Sequence, residues 1–490
     1  MSVQIFLQGK ILDIQSFLLA PSEGPGELTL AGRSYWISLL SEIVPRALLS
    51  ELGLAHVLLG SSGGGQFLVV LPIEVRPQAE EFLAGVARDT ARLSGGRLKL
   101  VWAATENLGD WSVVRKRIVD EMQRKRGAPA SGAEASFFAP LDEASAAPAD
   151  AYFVELARGL RQARAVAWSP EEPAKVLLGE GKYTFGVQAE HATDGIIVAR
   201  HAAPSDDGDD RAEAPALAAR SDGRPLWGVL RGDVDSFGIR LRRAQSIEEH
   251  VQLSVMYKQF FAGELEVLCS MPEFWRKVTI VYSGGDDFAV YGAWDALIGL
   301  AREMRRLFHR FTDENVQEFP GPDGKTLSMA LALAGDSTVP FASVYREAGE
   351  MLEAAKSTDK DCFALLGRTL EWRQVTNASD LKDTMTKMVR EFGCPPQFLA
   401  ELASLTSFAP ASGARQDRYD KPWRFHRRLN RVLGPTRARE LQKMRTYLIT
   451  EMLGKSAAHA KLRPAGRVAV AWASYLTEVD SNGRTATARS

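Results

Sequence analysis

A chain of 490 residues is too long for one ordinary core and divides into two to four domains. Its 60 lysines and arginines balance 61 acids to leave a formal charge of −1, so no whole-molecule field draws it onto nucleic acid or membrane, and any polyanion partner has to meet a local patch. The three cysteines, Cys269, Cys362 and Cys394, lie far apart with no C-x-x-C pair, which argues against a disulfide framework and a zinc ribbon; no zinc is expected, and a reducing cytoplasm is. The opening MSVQIFLQGKILD carries Lys10 inside its first apolar stretch without a basic n-region and reads as a strand. No apolar run is long enough to cross a bilayer, so no membrane role is expected.

In chain order the patterning predicts a strand at Gln4 to Ile14, a helix from Ser34 to Leu52, and a strand pair around Ser61-Ser62-Gly63-Gly64-Gly65. A helix at Pro77 to Leu93 and a strand at Leu98 to Ala103 complete a βαββαβ order, the ferredoxin-like plan, over residues 1–125. From Arg126 the composition shifts to Ala, Ser, Gly and Pro, and a second polar run, SDDGDDRAEA, begins at Ser205; residues 126–220 read as linkers around a small α/β insert. The plan then repeats over 221–375. A strand at Leu226 to Arg231, a helix from Ile247 to Leu268, and strands from Val278 to Tyr291 broken by Gly284-Gly285 come first. They are followed by a helix at Trp294 to Phe311, a strand at Thr326 to Ala334, a helix at Ala342 to Ala355 and a closing strand at Cys362 to Leu366. Two copies of one plan, each with a glycine-rich hairpin, indicate a duplicated domain. Residues 376–490 read as helical, with a polar tail from Ser481 expected to be disordered. The fold class expected is therefore α+β: two ferredoxin-like domains joined by a small α/β insert and followed by a helical domain.

Asp233 and Asp235 stand at the end of an apolar strand, and because strand side chains alternate, both could face one cation. Asp286 and Asp287 stand at the bend of a hairpin whose Gly284 and Gly285 allow a tight turn and close approach to a phosphate chain. A D-x-D alone is more often a cap or turn, and a Gly-Gly-Asp-Asp alone is more often a hairpin bend. Their conjunction at matching edges of one βαββαβ unit brings three or four acids to one point, a cluster that suits a pair of Mg²⁺ or Mn²⁺ ions and nucleotidyl transfer.

RGDVDSFG at Arg231, VYSGGDDFAVYGAWD from Val281 and EMLEAAKSTDKDCFALLGRTLEW from Glu350 resemble the second palm domain of the large subunit of type III CRISPR effector complexes, the Csm branch above all. LQGKILDIQSFLLAPSE from Leu7, LAGRSYWISLLSEIVPRALL from Leu30 and GSSGGGQFLVVLP from Gly60 resemble the first palm of the same family. The resemblance implies a cyclic oligoadenylate synthase that binds two ATP molecules between its palms. Carried over by position, Asp286 and Asp287 would be catalytic and Asp233, Asp286 and Asp287 would hold the metals, with Asp235 matching the motif in a less defined role. Ser62, Gly63, Gly64, Gly65, Ser254, Gly284, Gly285 and Lys356 would bind nucleotide. A surface lysine and a buried helix serine are the blander accounts of Lys356 and Ser254. The first-palm hairpin has no acids and would cradle a nucleotide without metal.

Two departures from the family stand out. The chain begins at the first palm and has no His-Asp dipeptide among its seven histidines, so no HD nuclease activity is expected; and Tyr152 to Leu217 lacks the four zinc cysteines common in the Csm branch. The resemblance further implies partners: a small helical subunit, backbone and guide-end-capping subunits, guide RNA and target RNA. A basic, aromatic stretch from Arg415 through Tyr419, Trp423, Arg424, Arg427, Arg428 and Arg431 to Arg445 suits docking to them, although a solvated helix face explains such a run as well. The rival readings are a diguanylate-cyclase-like enzyme, one residue away from a Gly-Gly-Asp-Glu-Phe signature, and a catalytically silent scaffold.

Overall fold

The computed structural model describes residues 3–22, 26–127, 146–187, 195–207, 210–336, 339–358, 360–407, 427, 430–434, 438–453 and 464–478. Arg415, Tyr419, Trp423, Arg424 and Arg428 of the basic stretch, and the tail from Ser481, lie outside these residues.

The first domain runs β1 (Gln4–Leu12), α1 (Ile14–Leu18), α2 (Gly26–Glu51), β2 (Leu59–Gly63), β3 (Gln66–Pro72), α3 (Arg76–Leu93), β4 (Lys99–Glu106) and α4 (Trp111–Gly127). Its sheet has the order β2-β3-β1-β4, the ferredoxin-like arrangement the βαββαβ pattern predicts. Helix α2 begins well before Ser34 and is buried along nearly its whole length. A helix apolar on every side has to be covered on every side. The sheet takes one face, and α5 (Ala146–Gly159) crosses so closely that a Cβ on Gly32 would lie 1.8 Å from the Phe153 carbonyl oxygen.

The insert adds β5 (Ala165–Trp168), β6 (Leu177–Leu178) and β7 (Tyr183–Gly186) as a three-stranded antiparallel sheet, then α6 (Ala214–Ala219). Its Phe153, Leu156, Val166 and Trp168 share one apolar core with Trp36 and Ile43 of α2 and with Val69 and Leu71 of the first sheet.

The second domain contains β8 (Trp227–Val234), α7 (Phe237–Arg243), α8 (Ile247–Gln259), a π-helical turn at Phe260–Glu264, α9 (Leu265–Cys269), β9 (Val278–Ser283), β10 (Asp287–Ala293), α10 (Trp294–Asn315), β11 (Leu327–Leu333), α11 (Phe341–Thr358), β12 (Cys362–Leu365) and β13 (Arg368–Glu371). The order β11-β8-β10-β9 repeats that of the first sheet, and β12, parallel to β11, and β13 widen it to six strands. Helices α12 (Trp372–Arg390), α13 (Gln397–Ser407), α14 (Arg439–Leu453) and α15 (Pro464–Thr477) pack onto the same core through Met385, Phe398, Leu448 and Trp472.

The register makes the duplication concrete. Gly9 pairs with Phe67 in the first sheet and Gly232 pairs with Phe288 in the second. A Cβ would fall 2.2 Å from the Phe67 ring in one case and 2.3 Å from the Phe288 ring in the other, so both glycines are there to let an aromatic ring cross the neighbouring strand. The next pair along is Asp233 with Asp287 in the second sheet and Lys10 with Gln66 in the first. No helix among the described residues is long and apolar enough to cross a membrane.

Candidate active site

The two central strands of the second sheet bring Asp233 and Asp287 directly opposite one another, with Asp286 one residue away at the bend. The Asp286 carbonyl accepts from the Val234 N–H at 2.9 Å, and the Gly284 N–H donates to the Asp287 carbonyl at 2.7 Å, so the hairpin is tied both to its neighbour strand and across its own mouth. Phe288, stacked on Phe261 in the core, anchors the strand just behind the acids. Gly284 serves a purpose other than turning. Its φ is not positive, but a Cβ there would lie 2.3 Å from Asp287 Oδ1. At Gly285 a Cβ would meet nothing, which leaves the backbone open to a ligand.

Lys356, in the last turn of α11, donates from Nζ to Asp233 Oδ1 at 2.6 Å. The Tyr282 hydroxyl donates to Asp287 Oδ2. Arg231, two residues before Asp233 on the same strand face, lies over the Tyr345 ring with its guanidinium carbon 4.7 Å from the centroid. These half-buried carboxylates have lost much of their hydration in the cleft. Burial first, then repulsion from Asp233, raises Asp286 to about 6 and Asp287 to about 7, against the pull of Lys356 and, for Asp287, Arg231. Asp233 is also raised by burial, with Lys356 opposing.

Two expectations change. Asp235 does not share a cation with Asp233: it is 2% exposed, and its carboxylate accepts from Thr326 Oγ1 at 2.8 Å, Ser328 Oγ at 2.8 Å and the Asp361 N–H at 2.9 Å. The strand ends at Val234 and Ser236 takes a left-handed φ of 59°, so the alternation that would place both acids on one face stops between them. The other three acids do come together, near enough for Asp233 to raise Asp286 and Asp287, but not as a ready-made metal cluster. Among the described residues, no three His, Cys, Asp or Glu side chains are arranged to hold a metal ion; Asp233 is engaged by Lys356 and Asp287 by Tyr282.

The first-palm hairpin faces this site. Gly63, Gly64 and Gly65 all have positive φ, at 121°, 58° and 75°, and a Cβ on Gly64 would come within 3.6 Å of the Gly285 amide nitrogen. The two glycine hairpins therefore meet tip to tip. Between them opens a cavity of about 160 Å³ lined by apolar Ile14, Leu18 and Ile37, by polar Gln15, Ser34 and Ser38, and by residues of the two hairpins, Gly64, Gly65, Tyr282, Gly284 and Asp287. Ser62 donates to Glu42 Oε2 at 2.8 Å, and Ser254 is half-buried on α8, which packs against β2. Sequence reasoning missed Glu42, Lys258, Arg231 and Tyr282; aligning the two Gly–Phe pairs would also have shown Lys10 and Gln66 standing where the second palm has Asp233 and Asp287.

Residues 226–364 match the family model for Cas10/Cmr2, second palm domain. A CRISPR system single-strand-specific deoxyribonuclease Cas10/Csm1 (subtype III-A) of Mycobacterium tuberculosis is 30% identical over 178 residues, 32% of this chain and 21% of that protein. Its counterpart in Streptococcus thermophilus is 26% identical over 188 residues, 36% of this chain and 23% of that protein. The chain thus spans about a fifth of the length of the curated relatives it matches. In overall fold it resembles the Csm1–Csm4 subcomplex of a type III-A CRISPR-Csm interference complex, with a TM-score of 0.72 at 19% identity over 96% of this chain and 70% of that one. A Csm1–Csm4 cassette in complex with cA4 superposes with a TM-score of 0.71 at 18% identity, again over 96% and 70% of the two chains. With its GGDD hairpin inside the matched segment, residues 226–364 are similar to the second palm domain of Cas10/Cmr2, and the duplicated sheet around them shares the Csm1 fold.

Proposed function

We propose that this chain is a nucleotidyltransferase that joins ATP molecules into a cyclic oligoadenylate, acting as the large subunit of a type III CRISPR effector complex and answering to target RNA. One observation carries the reading: the acids of the second palm stand against the tip of the first palm's glycine hairpin, so a nucleotide cradled by each palm would meet at Asp286 and Asp287. Solved relatives in fold are described in complex with cA4 and with one ATP.

The donor set fits a pair of Mg²⁺ or Mn²⁺ ions. Asp233, Asp286 and Asp287 offer hard carboxylate oxygens, and their burial and mutual repulsion are an electrostatic deficit that divalent charge relieves. Asp233, Asp286 and Asp287 would hold the ions, which would supply Lewis-acid charge for the triphosphate and for activating a 3′-hydroxyl. The chain's own groups do the rest. To act as ligands Asp233 and Asp287 would exchange their contacts with Lys356 and Tyr282, and the Lys356 ammonium would then be available to a phosphate at the end of its helix. Gly284, Gly285 and the Ser62-Gly63-Gly64-Gly65 run let backbone approach the phosphates. A new 3′–5′ bond forms at an α-phosphorus as pyrophosphate leaves. Small helical, backbone and guide-end-capping subunits, guide RNA and target RNA are the proposed partners, and the cytoplasm the proposed compartment.

The test is to incubate the assembled complex with ATP, Mg²⁺ or Mn²⁺ and matching target RNA, and to resolve the products by mass beside an Asp286→Ala, Asp287→Ala variant. Cyclic adenylates are expected only with target RNA and only from the unaltered chain. No adenylate under either metal, from a complex that binds its RNA, overturns the reading and leaves a scaffold.

A further inference from the structure

Glu42 sits on α2 with 3% of its surface exposed, which is a costly place for a carboxylate unless every lone pair is used. Oε2 accepts from Arg46 Nη1 at 2.8 Å, one turn along the same helix. That pair alone would satisfy the charge within the first palm. Two more donors arrive from elsewhere: Lys258 Nζ, on α8 of the second palm, at 3.0 Å from Oε1, and Ser62 Oγ, at the foot of the first-palm hairpin, at 2.8 Å from Oε2. Lys258 Nζ also reaches Ser62 Oγ at 3.4 Å. Burial works against the charge, yet Lys258, Arg46 and the Ser62 hydroxyl together hold the Glu42 carboxyl below the ordinary carboxylate value.

The contacts continue to the acids. A Cβ on Gly63 would lie 3.0 Å from Lys258 Cδ and 3.4 Å from Glu42 Oε1, so the hairpin rests on the lysine's methylenes and the glutamate. One residue on, Gly64 abuts the Gly285 amide, which precedes Asp286. We propose that Glu42, gripped by Lys258 and Ser62, is a positioning residue that fixes the first-palm hairpin in register with the second-palm acids, so that two nucleotides are presented to each other at bonding distance. The inference rests on the proposed nucleotidyl transfer. It adds a function for three side chains that touch neither the acids nor the cavity between the palms.

An ordinary buried ion pair would hold the fold and nothing more, and Lys258→Met separates the two cases. Glu42 then keeps Arg46 and Ser62, so the chain still folds, but the tie between palms is gone. In the assembled complex with ATP, metal and target RNA, Lys258→Met is expected to lower kcat by roughly 10- to 100-fold, with KM for ATP within about threefold. It also shifts products from cyclic toward linear adenylates, a ratio that the amount of folded protein does not affect. Lys258→Arg restores most of the rate. Hydrogen exchange of amides 59–66, followed by mass spectrometry on the same complexes without ATP, speeds at least tenfold in Lys258→Met. Unchanged kcat and product ratio, or unchanged exchange in the hairpin, overturns the proposal. A wild-type complex that makes no adenylate defeats the proposed function instead, and the exchange result still decides whether Lys258 positions the hairpin.

Discussion

Gly284 is the residue on which the Asp287 carboxylate depends most directly. A methyl group there would lie 2.3 Å from Asp287 Oδ1, so Gly284→Ala drives the carboxylate from its place without straining a backbone that lies outside the left-handed region. Activity is expected to fall about 100-fold in a product assay while the melting temperature stays close to wild type. The neighbouring acids carry a pH signature of their own. Asp286 at about 6 and Asp287 at about 7 hold protons more tightly folded than unfolded. Their contribution to stability is therefore complete below the ordinary aspartate value of about 3.9 and is lost as the pH rises through 6 and 7. Metal-free protein should melt at a lower temperature at pH 8 than at pH 5 on their account, and an Asp286→Asn, Asp287→Asn variant should show a smaller drop. Equal drops in differential scanning calorimetry would refute the assignment.

At the scale of elements, the strand end that carries Asp233 and Asp235 divides labour between neighbours. Asp233 faces the cleft and Lys356, whereas Asp235 stitches β8 to the segment entering β11, through Thr326 and Ser328, and to the Asp361 N–H before β12. Asp235→Ala leaves three donors, the Ser328 hydroxyl fully buried among them, without their acceptor and is expected to cost roughly 3 kcal/mol in urea unfolding, against little for Asp233→Ala, which should instead abolish activity. The sequence could not distinguish them, because D-x-D spacing carries no record of where the strand stops; a left-handed residue at Ser236 is a tertiary outcome. The βαββαβ order, the paired hairpins and the acids at Asp233, Asp286 and Asp287 were legible because period-two strands, period-3.6 helices and glycine turns are local signals. The short strands β5 to β7 were not, being two to four residues each and too brief for any periodicity to register. Helix α2 was misjudged at its start since an all-round apolar helix lacks a polar face to mark its limits. Glu42 and Lys258 were invisible because residues 216 apart in sequence meet only when both palms are built.

Across the whole molecule, duplication has produced two cradles with unlike equipment. The second sheet places Asp233 against Asp287, and the first places Lys10 against Gln66 at the same register position. Both copies keep the glycine that admits a phenylalanine ring, and immediately beside it they differ at the pair that would touch phosphate or metal. Under the proposed function this asymmetry sets the tempo of synthesis. With one set of carboxylates for every linkage, the bonds of a ring are made in succession and not all at once, and after each the growing strand has to slide or let go before its new end returns to the same spot. Quenching the reaction early should catch a ladder of open chains, each one unit longer than the last, ahead of any closed ring; rings present from the first turnover without shorter open forms would contradict it. A machine with one workbench and two clamps assembles by iteration, and its ring size is then a contest between adding another unit and closing on itself.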